Sequence, residues 1–196
     1  MTRPTMAKLL TACACVLALG IGVLIHVRAP SPPATVLANT PLDASAACSL
    51  VGYSRTAFGN EPSKATRKRI KARDAVAGQL VDYYTGEPLL AGDKPQADHV
   101  VALADAWRSG ACKWASQVRK RFASDTATQR FELRYTSAHL NESKSDQSPK
   151  DWSPAKRDFA CRYGQDYLAI KAEWSLTVAT EDRDAVALAC GTEATQ

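Results

Sequence analysis

Asp98-His99-Val100-Val101-Ala102-Leu103 is a short apolar segment led by a carboxylate and an imidazole side by side. The chain holds only three histidines, His26, His99 and His139. Histidine is the side chain that titrates near neutral pH, so His99 is the acid/base candidate. Asp98 beside it is a hard oxygen ligand of the kind Mg²⁺ takes. Neighbours on a strand point to opposite faces. At a strand's end, however, one can face a metal while the other faces a water.

Downstream of this pair, Ala104 to Ser109 and Lys113 to Ala123 read as helices broken at Gly110. From Arg130 to Thr136 the residues alternate: Phe131, Leu133 and Tyr135 on one face, Arg130, Glu132 and Arg134 on the other. That is the period of a half-buried strand. Asn141 to Asp146 is polar, and Asn141 is suited to cap a following helix. A helix is predicted from Ser153-Pro154 to about Trp174, and Thr180 caps a last one, over Glu181 to Cys190. Upstream, Ser63 caps a predicted helix over 63–81 that contains Ile70, Ala75, Val76 and Leu80. Its other face carries Lys64, Arg67, Lys68, Arg69, Lys71 and Arg73. By itself such a run is a solvated helix face. Tyr84-Thr85-Gly86-Glu87-Pro88 is a turn. The folded part is mostly helix with a little strand, and the four tryptophans are read as core.

The chain has 196 residues, enough for one domain and a targeting segment. Hydrophobic residues at 45% and charged ones at 23% exclude wholesale disorder. There is no internal repeat, no Gly-rich phosphate loop and no nucleophile elbow. The formal charge of +5 is partly a leader effect, because the first 38 residues hold Arg3, Lys8 and Arg28 and no acid. The remainder is nearly neutral, so bulk charge does not argue for nucleic acid, although a local patch can.

Arg3 and Lys8 precede an apolar run, Leu9 to Val27. A basic start before an apolar stretch is the plan of a secretory signal, and 19 residues also nearly span a bilayer. Residues 1–28 are therefore a signal peptide or a transmembrane anchor, with Val36-Leu37-Ala38 as a cleavage site. Residues 29–47 form a Pro/Ser-rich linker, and 48–196 the folded domain. The location is secreted or extracytoplasmic, with membrane contact only through an uncleaved leader. Past the leader, Cys48, Cys112, Cys161 and Cys190 remain, an even number in an exported domain, which reads as two disulfides. Three connectivities exist. Cys161 with Cys190 is favoured because two helices joined by a turn bring them together, and Cys48 with Cys112 follows by elimination.

The Asp98-His99 segment, Asp105 to Ala111, Arg121 to Asp125, Asn141 to Asp146 and Asp151-Trp152 resemble, in order and spacing, the exported HNH endonucleases, the ββα-metal or His-Me finger family. Gly52 to Arg55, Arg73-Asp74 and Tyr84-Thr85-Gly86 match its upstream part, so the resemblance covers about residues 50 to 190. It implies an α+β fold, helix-rich around a small two-stranded ββα-metal core. The Asp-His pair would lie on the first strand, and the last motif residue on the helix after the second. It implies one divalent ion, Mg²⁺ or Mn²⁺, held by Asp98 and Asn141, with His99 activating the attacking water. Lys144 or Arg67 would add a contact to the phosphate. Beside the motif, the basic stretch with Lys64, Arg67, Lys68 and Lys71 becomes a nucleic-acid-binding candidate, with DNA the expected partner ahead of RNA; no protein partner can be inferred. Such proteins place Asn or His about nine residues before the last motif residue, where Glu132 stands here, and that position orders the loop. They also often have Gly where Ser145 stands. The rival reading is a catalytically silent nucleic-acid- or cell-surface-binding domain that kept the fold.

Overall fold

The computed structural model describes residues 48–59, 61–124 and 132–192; the leader and linker read from the sequence lie outside them. The first α-helix, α1 (Lys64–Arg73), starts as predicted, with Ser63 Oγ accepting the N–H of Thr66 at 3.1 Å. It buries Thr66 and Ile70 and exposes Lys64, Arg67, Lys68 and Lys71. The helix predicted to reach 81 stops at Arg73, because the carboxylate of Asp74 is committed elsewhere. It accepts from Arg73 Nε (2.9 Å), from Arg134 (3.3 Å) and from the N–H of Tyr135 (2.8 Å). The chain then turns through Ala77 and Gly78, both at positive φ (50° and 81°). Two such residues in succession make a tight hairpin of β1 (Ala75–Val76) and β2 (Gln79–Leu80).

The central sheet is equally small. β3 (Gln96–His99) pairs antiparallel with β4 (Leu133–Thr136), with Asp98 opposite Arg134 and His99 opposite Leu133. Leu133 and Tyr135 are buried, as the alternation predicts, while Arg130 and Phe131 of the predicted strand lie outside the described residues. Glu132 and Thr136, on the other face, are buried as well, each held by a hydrogen bond. Between the two strands come α2 (Leu103–Arg108), a 3₁₀ turn at Ala111–Lys113 and α3 (Ser116–Ala123). After β4 come α4 (Ala138–Lys144), α5 (Arg157–Glu173) and α6 (Thr180–Cys190), where Thr180 is the first helical residue rather than the cap expected, the N-cap being Ala179 without a side-chain hydrogen bond. The fold is thus α+β and helix-rich, and β3, β4 and α4 make the ββα unit. Among the described residues no helix is long and apolar enough to cross a membrane.

A two-stranded sheet is marginal in water by itself, so the helices must cover it. The main core joins Tyr84, Val100, Val101, Phe122, Tyr163 and Tyr167, while a smaller one gathers Ile70, Leu80, Leu89, Leu133 and Tyr135. All four tryptophans pack against the main core, as expected. Both disulfides have the connectivity read from the sequence: Cys48–Cys112 and Cys161–Cys190, the latter joining α5 to α6 with 4.7 Å between Cα atoms. A buried polar knot ties α2 to α5. Lys171 Nζ donates to Asp105 (3.1 Å) and Ser109 Oγ (2.7 Å), and Tyr167 OH donates to Asp105 (2.8 Å).

The contact of α5 with α6 depends on Gly164, where an added Cβ would lie 2.6 Å from Val186 Cγ2. Helix propensity alone would reward alanine there by about 1 kcal/mol. Overpacking should reverse the sign, so Gly164→Ala is expected to destabilise the fold by about 1–3 kcal/mol. Adding Val186→Ala should cost less than the sum of the two single changes. A double-mutant cycle by denaturant melts checks this, and strict additivity would contradict the close approach.

Candidate active site

His99 ends β3 and is 5% exposed. Its Nε2 lies 3.0 Å from the carbonyl oxygen of Ala123, in the last turn of α3. A carbonyl can only accept, so Nε2 carries the proton and Nδ1 keeps its lone pair. The last carbonyls of a helix lack partners inside it, which makes Ala123 O a natural anchor for the ring. Burial pushes the imidazole down to about 4, against the opposing pull of the Ala123 bond and of Asp98, with Arg55 and Lys144 adding to the fall. His99 is therefore neutral at pH 7, the form in which a lone pair can accept a proton.

Asp98 is held from the protein side. Its Oδ2 accepts from Tyr84 OH at 2.6 Å and from Lys144 Nζ at 3.1 Å. Burial and the Asp98 charge raise the Tyr84 phenol well above 10, so it stays a donor. Lys144 is fully buried, and its ammonium also donates to the His99 carbonyl at 2.8 Å. Asn141 precedes Lys144 by three residues on α4, which sets both on one helical face. That face meets β3 again through Asn141 Nδ2, which donates to Gln96 Oε1 at 2.6 Å. Gln96 and Asp98, two apart on a strand, share a side of the sheet. Asp98, His99 and Asn141 thus line one open cleft of about 420 Å³, together with Tyr53, Arg55, Glu142 and Asp146.

The seat of α4 is made by Asp82. Its Oδ1 accepts from Tyr84 N–H (2.8 Å), and its Oδ2 from Thr136 Oγ1 (2.9 Å) and from Ser137 N–H (2.8 Å). Ser137, not Asn141, is the N-cap of this helix, and Asn141 lies within it. Glu132 accepts the N–H of Val100 on its carbonyl (2.8 Å) and that of Val101 on its carboxylate (3.4 Å). It therefore orders the turn after His99, the role expected of the middle motif position. Ser145 adopts a positive φ of 50°, which accounts for the preference for Gly there.

Of the remaining sequence candidates, Lys144 faces inward, to Asp98 and the backbone, in place of the phosphate-facing position expected of it. Arg67 stands on α1 outside the cleft lining, donates to Pro62 O (2.9 Å) and lies 3.8 Å from Glu61. Lys64, Lys68 and Lys71 share its exposed face. His139 is exposed and does not line the cleft. The sequence reading missed Tyr84 as the partner of Asp98, Gln96 as the partner of Asn141, and Arg55 as a cleft residue. Tyr84 and Arg55 stood in segments noted for their resemblance, and that was the signal for them.

Residues 54–187 match the model of the C-terminal domain of GmrSD restriction endonucleases. A fungal protein of Arthroderma benhamiae, described as an uncharacterized secreted protein, is 29% identical over 150 residues, covering 69% of this chain and 72% of its own length. No solved structure matches the chain with significance.

Burial of His99 has a consequence for stability. The unfolded imidazole titrates near 6.5 and the folded one near 4, so between these values only the unfolded chain takes the proton. The stabilisation is complete above 6.5 and is lost as the pH falls toward 4. It amounts to roughly 3 kcal/mol across that window. Urea melts from pH 7 to 4 should fall more steeply for the native chain than for His99→Gln, and parallel curves would refute the burial.

Proposed function

Because the chain belongs to the family of the C-terminal domain of GmrSD restriction endonucleases, we propose that it is an exported, metal-dependent endonuclease that hydrolyses phosphodiester bonds, of DNA ahead of RNA. The single observation carrying this is the 3.0 Å contact of His99 Nε2 with Ala123 O, which commits that nitrogen and leaves Nδ1 as the base of a residue lining the same cleft as Asp98 and Asn141. Export is supported by the basic-then-apolar leader, the two disulfides and the secreted description of the fungal relative.

The donor set fits a hard divalent ion. Asp98 offers a carboxylate, and Asn141 an amide whose nitrogen is committed to Gln96, so that its oxygen is the atom left for a ligand. Mg²⁺ and Mn²⁺ are hard ions that keep several waters and need only one or two protein oxygens. When bound, the ion supplies Lewis-acid stabilisation of the charge on the phosphate and the leaving oxygen. His99 Nδ1 takes the proton of the attacking water. The new P–O bond forms as the bond to the 3′ oxygen breaks, and that oxygen takes a proton from solvent. Asp98 and Ala123 O stabilise the imidazolium that results. Lys144 holds the Asp98 carboxylate and the His99 backbone in place.

The full chain is expected to nick plasmid with Mg²⁺ or Mn²⁺ and to stop in EDTA. His99→Ala should lower cleavage by roughly 10²–10⁴-fold and leave Mn²⁺ binding in place. Asp98→Ala should weaken the binding itself, as titration calorimetry would read. Equal loss of Mn²⁺ affinity in both variants would make His99 a ligand rather than the base. Intact plasmid across several metals, with DNA still bound, would leave the silent binding domain as the reading.

The exposed basic face of α1 gives a separate expectation. Replacing Arg67, Lys68 and Lys71 by Ala should weaken DNA binding without altering sequence preference. For every phosphate left without its cation, the slope of log affinity against log salt should fall by about 0.9 on duplex DNA. An unchanged slope would return α1 to a merely solvated face.

A further inference from the structure

Among the described residues that line the cleft, Arg55 carries the one positive charge, against the carboxylates of Asp98, Glu142 and Asp146. Two of those carboxylates are already answered: Asp98 by buried Lys144 at 3.1 Å, and Asp146 by Arg108 at 3.2 Å. A polyanionic substrate entering here therefore meets one cation that is exposed to it. The backbone of Arg55 is fixed on both sides. Ser54 caps the 3₁₀ turn Arg55–Phe58, Phe58 is buried in the core, and the Tyr53 ring packs edge-on against Trp107 at 5.9 Å. The side chain itself stays 60% exposed. It lies close enough to His99 to help lower the affinity of that ring for a proton.

The guanidinium is lightly held. Its Nε meets Glu61 Oε1 at 3.3 Å, and Glu61 is itself 63% exposed. The other oxygen of Glu61 faces Arg67 of α1 at 3.8 Å. Glu61 thus bridges the cleft and the basic helix face. An exposed pair of this kind is weak, whereas an Arg fork on a phosphate makes two parallel charge-assisted bonds.

We propose that Arg55 grips the phosphate to be cut and that Glu61 is the stand-in it releases; the assignment rests on the nuclease reading above. A nucleic-acid backbone running along α1 then enters the cleft by displacing one carboxylate.

The test measures binding of a labelled DNA duplex by anisotropy in EDTA, and cleavage of the same duplex with Mn²⁺, using the full chain. Arg55→Ala should raise Kd and lower kcat/KM by about 10- to 100-fold, with the loss mainly in KM. It should also reduce the salt slope by about 0.9. Its melting temperature should stay near that of the native chain, because the side chain is exposed. Arg55→Lys keeps the charge and loses the fork, so the slope should persist while affinity falls partway; this variant carries the test if Arg55→Ala does not fold. Glu61→Gln removes the competitor and should tighten binding about two- to fivefold, and that gain should vanish without Arg55. Native affinity and slope in Arg55→Ala, or a Glu61→Gln gain that survives the loss of Arg55, would overturn the assignment while cleavage by the native chain upheld the nuclease. A native chain that neither bound nor cut DNA or RNA would sink both.

Discussion

The ammonium of Lys144, shut away from solvent between Asp98 and the carbonyl of His99, fastens α4 to β3, and the geometry of the cleft depends on that bond. Burying a charge costs several kcal/mol unless good partners compensate it. Here a carboxylate at 3.1 Å and a backbone carbonyl at 2.8 Å do so. The arrangement is specific because both partners belong to adjacent residues at the end of one strand. Any slip of α4 along β3 would strand a cation in the interior. The same contact therefore sets where Asn141, one helical turn earlier, stands relative to Asp98.

Buried carboxylates perform the matching task elsewhere. Asp82 holds the Tyr84 turn to the start of α4, Asp74 holds the end of α1 to β4, and Asp105 holds α2 to α5 through Lys171 and Tyr167. The strands are only two to four residues long, so ladder hydrogen bonds alone cannot secure them. Side-chain acceptors placed where backbone N–H groups lack partners complete the ladder, and two disulfides close the outer helices and the N-terminal segment. A stiff frame of this kind suits an acid/base site, since proton transfer needs its groups within hydrogen-bond reach of the reacting water.

The cleft is consequently asymmetric. On the inner side, Asp98 and His99 are held by groups that solvent does not reach, and burial keeps the imidazole neutral. On the outer side, Arg55, Glu61 and Arg67 form a loose chain of exposed charges leading from the cleft to α1. Exposed pairs exchange partners at little cost, whereas buried ones do not. The first arrangement suits chemistry, the second the arrival of a charged chain.

Much of this was legible in the residues. The Ser63 cap, the alternation at Leu133 and Tyr135, and the Asp98-His99 pair at a strand's end all express rules acting over a few neighbouring positions, and the pairing of the cysteines followed from their even number and two helices joined by a turn. The family resemblance added the helix that carries Asn141. The end of α1 at Arg73 was not legible, because Asp74 takes its partners from β4, some sixty residues on. Nor were Tyr84 on Asp98, Ala123 O on His99, or the inward turn of Lys144. A lysine in a polar stretch reads as exposed, since solvation is its default, and only the packing of α4 on β3 supplies the two acceptors that reverse the preference. The sequence by itself determined the local elements, the even count of cysteines and the identity of the candidate pair. The tertiary structure decided which atoms of that pair remain open to a substrate, because that depends on partners 14 to 46 residues away that meet only once the helices have packed.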